Sequence, residues 1–203
     1  MELQQRFSTL LSNYTEDKNL IASLWNDVYT NYTEKHRAYH NLQHLTEIFS
    51  YFDLYKHELN QPNIVAISIF YHDVIYKVWN KENEEKSADF AFRKLNTVLN
   101  NTQLNEIQQQ ILATKNHSTQ NNDTKWLVDF DLAILGQPPE TYKKYTTQIR
   151  NEYKTVPNFI YKKGRKKVLL HFKKKSYIFA TDKFRNLYEK IAKENLNNEL
   201  KLL

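Results

Sequence analysis

Only two glycines, Gly136 and Gly164, occur in 203 residues, together with four prolines. Tight hairpin turns draw on Gly to reach positive φ. A chain this poor in turn-formers cannot string together many β-hairpins, so helices must carry its fold. The same shortage removes phosphate-cradling loops. The P-loop and the dinucleotide fingerprint each set several glycines within about eight residues. Cys is absent, which excludes thiol nucleophiles, disulfides, Cys-ligated zinc and iron–sulfur clusters. Hydrophobic residues make up 40% of the chain, enough for one core, and the length suits a single domain over residues 1–203.

Apolar spacing predicts an all-α architecture of about ten helices without significant sheet. Leu3, Phe7, Leu10 and Leu11 mark one helix face over 2–12. Thr15 or Asp17 caps a second helix carrying Ile21, Leu24, Trp25 and Val28. A third is expected from Tyr39 to about Leu59. Pro62 suits the first position of a fourth, PNIVAISIFYHDVIY. That segment is apolar nearly all round, as a helix in the middle of a domain must be. Further helices are expected over 84–99, 103–116 and 126–135, the last stopping at Gly136 as a left-handed cap. Pro138-Pro139 opens an eighth through Tyr153, Pro157 a ninth over 157–175, and Thr181-Asp182 cap a tenth. The stretch 116–123 reads as loop.

The charge balance is +6, which favours an anionic partner. The longest apolar run, about Ile64–Tyr71, falls far short of the roughly 20 residues of a membrane helix. The first residues, MELQQRFSTLLSNY, show no apolar leader. A cytoplasmic protein with no membrane partner is the expectation; the oligomeric state is left open.

Chemistry concentrates where polar residues interrupt buried segments. His72-Asp73 follows the apolar run on the central helix, and burying a carboxylate without a partner costs several kcal/mol or more. A cation, an Arg or a cluster of donors must compensate, so a buried salt bridge is one reading. His40 and His44 lie four apart, hence on one face of the third helix, and His36 extends that stripe one turn earlier. Asp129 and Asp131 intrude in WLVDFDLAILG. Together His44, His72, Asp73 and Asp131 offer two imidazoles and two carboxylates. That set suits a hard or borderline divalent ion such as Mn, Fe, Co, Ni, Zn or Mg. Ionised ligands would also resolve the cost of burying Asp73. His57 and His171 sit among charged residues and read as surface side chains.

The words RAYHNLQH (37–44), FYHDVIY (70–76), NEEKSA (83–88), DFDLAILG (129–136) and IRNEY (149–153), in this order, resemble the predicted metal-dependent phosphohydrolases of the HD superfamily. The likeness spans roughly residues 20–200. It implies an all-α HD-type helical bundle and a metal-dependent phosphohydrolase. The substrate would be a small phosphorylated metabolite, with a nucleotide suggested by superfamily analogy alone.

Carried over position by position, the resemblance places the metal ligands at His44, His72, Asp73 and Asp131, with Asp129 competing for the last place. YHNLQH is similar to the helix of cyclic-nucleotide phosphodiesterases that bears a proton donor, and so implies His40 as general acid. Those enzymes have a second His three residues after the Asp of the HD pair. Tyr76 stands there instead, which counts against a binuclear site of their type. His117 is the substitute candidate, for a second ion or for phosphate. Glu84 is implied as a base or water-orienting group; otherwise it is a carboxylate favouring a helix N-terminus. Arg37, Lys115, Arg150 and Arg165 are candidates to offset phosphoryl charge, or else surface ion pairs.

The segment 162–175 holds eight Lys/Arg and no acid. It reads as a solvated face, a phosphate funnel or, less in keeping with a compact site, a nucleic-acid surface. The alternative to an enzyme is a nucleotide or nucleic-acid binding module with a retained metal site.

Overall fold

The computed structural model describes residues 2–203. Ten α-helices follow one another, and there is no strand among the described residues. They are α1 (Leu3–Leu11), α2 (Lys18–Tyr32), α3 (Leu42–Tyr55), α4 (Pro62–Tyr71), α5 (Asn83–Leu95), α6 (Asn101–Ala113), α7 (Asn122–Leu132), α8 (Pro139–Glu152), α9 (Asn158–Lys174) and α10 (Asp182–Leu202). Short 3-10 turns, Lys56–Glu58 and Ala133–Gly136, extend α3 and α7. The all-α expectation therefore stands. No helix is long and apolar enough to cross a membrane among the described residues.

Helix α4 is the axis of the molecule. Pro62 opens it, and every residue from Ile64 to Tyr71 is buried. It packs against α1, α3, α5, α6 and α7. Burial on all sides explains why its sequence shows no polar face. Phe70 lies edge-on to Phe7 of α1 and against Phe49 of α3, which ties three helices at one point.

Several boundaries differ from the sequence reading, among them the start of α7 at Asn122, inside the stretch expected as loop, and two of the differences matter for the site. The third helix starts at Leu42, not near Tyr39, because the Asn41 side chain caps it by accepting from the amides of Gln43 and His44. His36 and His40 therefore precede the helix, and the expected three-His stripe does not exist. The fourth helix ends at Tyr71, with His72 as its C-terminal cap, so the HD pair sits on a turn. The Arg37 guanidinium holds this turn, donating to the Asp73 oxygen at 2.7 Å and the Val74 oxygen at 2.9 Å.

Gly136 is also corrected. Its φ is not positive, so it is no left-handed cap. It is required by close approach: a Cβ there would stand 2.4 Å from the Cβ of Tyr188 on α10.

Candidate metal centre

Three elements converge on one cluster. The N-terminal turn of α3 supplies His44, the C-terminal cap of α4 supplies His72, and the end of α7 supplies Asp131. Their donor atoms lie within 4.8 Å of one another. Nε2 of His44 is 3.3 Å from Nε2 of His72 and 3.3 Å from Oδ1 of Asp131. His72 Nε2 is 3.8 Å from the same oxygen. Asp73 stands at the rim, its Oδ2 3.3 Å from His72 Nε2 and 4.0 Å from His44 Nε2. Neighbouring ligands held about 2.0–2.2 Å from one ion stand roughly 3 to 3.5 Å apart, so these separations fit a shared cation. His72 Nδ1 donates to the Ile69 carbonyl at 2.8 Å. That bond fixes the tautomer and leaves the Nε2 lone pair facing the cluster.

Electrostatics carry the same sense. Burial alone would hold the His72 ring down, but the charges of Asp73 and Asp131 push it up to about 9. Burial would raise both carboxyls. His72 and His40 nonetheless hold Asp73 below the usual carboxylate range, and hydrogen bonds from His117 and His44 hold Asp131 well below it. The cluster is thus an anionic pair that demands positive charge, from imidazolium or from a cation.

His117 joins from the other side. Its Nε2 lies 3.2 Å from Asp131 Oδ2, and its backbone has φ of 50°. A non-glycine residue in this left-handed region is strained. Two anchors hold it there: the Phe172 ring of α9, at 5.5 Å between centroids, and the Lys175 amine, which donates to the carbonyls of Asn116 and His117.

His40 sits beside the cluster on a separate support. Its Nδ1 donates to Oε2 of Glu152 at 2.8 Å, and its Nε2 lies 4.0 Å from Asp73 Oδ2. Burial would lower the ring; the Glu152 carboxylate more than reverses this and raises it. Glu152 is 3% exposed and fully engaged. Its Oε1 accepts from the amides of Tyr39 and His40, and its Oε2 also accepts from the Tyr76 hydroxyl. Burial would raise this carboxyl, but His40 and the two amides bring it down to about 2. Glu152 lies within the IRNEY word, yet its local sequence carries no sign of its bond to His40, and the word points to Arg150 instead.

The remaining candidates separate. Glu84 lies in the first turn of α5, where burial and the Asp73 charge push its carboxyl up. Lys115 pairs with Glu85 and donates to the Lys81 carbonyl at the protein surface. Arg37 is 6% exposed and braces the backbone of His40, Asp73 and Val74, so it shapes the site and does not face a ligand. Arg150 donates to the carbonyls of Tyr153 and Val156 and lies over the Tyr161 ring; it closes the C-terminus of α8. Arg165 is clamped by Glu199 and the Tyr145 hydroxyl. Neither joins the cluster. Asp129 is turned away as well: it accepts from the amides of Ala180 and Thr181 and the Thr181 hydroxyl, holding the start of α10.

No family model matches the chain, and no curated protein or solved structure matches it either.

Proposed function

We propose that this protein is a metal-dependent phosphohydrolase of the HD type, acting on a small phosphorylated metabolite, with a nucleotide the class that superfamily analogy suggests. The observation that carries this reading is the arrangement of His44, His72 and Asp131 around one point, with His72 Nδ1 already committed to Ile69. Asp73 and His117 stand within reach to complete the shell. A bound divalent ion would supply positive charge to polarise a phosphoryl oxygen and to acidify a water.

The chain's own residues do the rest. Glu152 accepts from His40 Nδ1–H and favours the imidazolium, whose Nε2–H edge faces the cluster. From there His40 donates a proton to the leaving oxygen of the ester. Glu84, at the opening of α5, orients an attacking water beside Asp73. Arg37 fixes the spacing between the His40 and Asp73 segments by binding both backbones.

The test is metal analysis of the purified protein, followed by phosphate release from nucleotides and from nitrophenyl phosphate with Mn, Co, Ni or Mg. Stoichiometric metal that His72→Ala and Asp131→Ala both lose, together with chelator-sensitive hydrolysis, is the expected outcome. Metal uptake with no hydrolysis of any substrate would leave a binding module. No metal uptake would end the reading.

A further inference from the structure

Helix α9 has one covered side and one bare side. Arg165, Leu169 and Phe172 are buried, each about one turn from the next, and the helix packs chiefly on α10. On the opposite side Phe159, Lys163, Lys167, Leu170 and Lys174 form a stripe at helical spacing, and all five are exposed. The helix has 17 residues, which makes this face about 25 Å long.

Two independent features set the stripe apart from an ordinary solvated face. The first is charge without partners. No acid occurs between Asn158 and Lys175. Arg165 is clamped by Glu199, and Lys175 donates to the carbonyls of Asn116 and His117. Lys162, Lys163, Lys166, Lys167, Lys173 and Lys174 enter no ion pair or hydrogen bond among the described residues. The second feature is apolar. Ten large apolar side chains stay exposed among the described residues, and four of them lie on this helix: Phe159 at 75%, Ile160 at 43%, Val168 at 45% and Leu170 at 37%. Apolar residues gathered in this way mark a surface that something else covers.

The charge calls for an anionic partner, and the apolar residues narrow the choice. Nucleic-acid recognition draws on Arg forks and on free rings for stacking. The Arg of α9 is committed to Glu199, Tyr161 lies under the Arg150 guanidinium, and Phe172 is buried. Phe159 is left as the one Phe or Tyr exposed on the helix, and Ile160 and Leu170 would meet nothing apolar on a phosphate backbone. A lipid surface uses both kinds of residue. Lysines meet anionic headgroups, and Phe and aliphatic side chains enter the boundary between headgroups and acyl chains. A helix lying along a surface needs no spanning segment, so the contact is compatible with the absence of one among the described residues.

We propose that α9 docks this protein on an anionic membrane surface. The helix lies flat, with Phe159, Ile160 and Leu170 dipping beneath the headgroups and Lys163, Lys167 and Lys174 among them. The proposal goes beyond the hydrolase reading and stands without it.

Co-sedimentation of the full chain with vesicles tests it. Vesicles of equal parts phosphatidylserine and phosphatidylcholine should carry the protein down, and vesicles of phosphatidylcholine alone should not. Raising salt from about 0.1 to about 1 M should release it. Each lysine near such a surface strengthens binding about fivefold, so Lys163→Gln/Lys167→Gln/Lys174→Gln should weaken it about a hundredfold. Phe159→Ser/Leu170→Ser keeps every charge and should weaken binding about tenfold or more. Both variants change exposed side chains and should keep the wild-type circular dichroism spectrum. Failure of the wild type to sediment with the anionic vesicles overturns the proposal, as does undiminished binding by either variant. So does a DNA duplex that strips the protein from the vesicles at an equal concentration of phosphate charge, since nucleic acid would then be the preferred partner.

Discussion

Glu152→Gln is a nearly isosteric change that separates the carboxylate's charge from its shape. Glutamine can still accept the Tyr39 and His40 amides through its one oxygen. Its NH2 then confronts two donors, His40 Nδ1 and the Tyr76 hydroxyl, where Oε2 accepted both. Losing two bonds to a charged acceptor, with partial repair, should cost about 3 kcal/mol. The fall of the Glu152 carboxyl from 4.5 to about 2 corresponds to a similar figure, about 3 kcal/mol. The pH dependence follows from two opposite signs. The depressed carboxylate contributes fully above its unfolded value of about 4.5, and the contribution is lost as pH falls toward about 2. The raised His40 ring contributes fully below its unfolded value of 6.5, and this is lost as pH rises through the folded value. The gap between wild type and variant should therefore be widest from about pH 4.5 to 6.5 and narrow on both sides. Urea denaturation followed by circular dichroism across pH 4–8 measures it. A gap below about 0.5 kcal/mol at pH 5.5, or one independent of pH, would refute the charge-pair account.

His44→Ala should lose the metal, whereas His40→Ala should keep it and lower kcat by roughly 10²–10⁴-fold. The His40 loss should shrink for a nitrophenolate leaving group, which needs no proton; equal losses for both leaving groups would make His40 a positional residue. Asp129→Ala should cost about 3 kcal/mol by stranding the Ala180 and Thr181 amides and leave metal uptake intact, so loss of metal would show that it belongs to the shell. Gly136→Ala should destabilise by about 3 kcal/mol through its clash with Tyr188, whereas Gly164→Ala, with nothing within 4 Å, should stabilise by up to about 1 kcal/mol. Thermal unfolding of the two variants checks the contrast.

Helix number was legible because the evidence for a helix is local. Ile21, Leu24, Trp25 and Val28 repeat at helical spacing and are buried together in α2. Pro62, Thr181 and Asp17 act where chain chemistry places them, at helix starts. Exact ends were less legible, since they depend on distant partners. Nothing in YHDVIY reveals that Arg37, 36 residues before Asp73, binds the carbonyls of the turn that follows α4. Nothing near Asn41 distinguishes a cap from one more helical residue until its oxygen meets the two amides.

The site divides along the same line. His72 and Asp131 could be singled out because each is a polar residue interrupting an apolar segment, and such interruptions need compensation wherever they pack; His44 was marked only by its spacing of four from His40 and by the resemblance. Asp129 interrupts the same segment and gives the same local signal. Two positions along a helix, however, point in nearly opposite directions. Asp129 meets three donors at the start of α10, which leave its oxygens engaged. Asp131 meets only imidazole nitrogens, from His44 and His117. Those rings can lose their protons to solvent and bind a cation through the freed nitrogen, and the amides facing Asp129 cannot. The distinction between a structural and a ligating carboxylate thus lies in what each one accepts from, and those donors come from elsewhere in the chain. Glu152 makes the same point from the opposite direction. It ends an ordinary amphipathic helix, and only the fold brings it across 112 residues to the His40 ring.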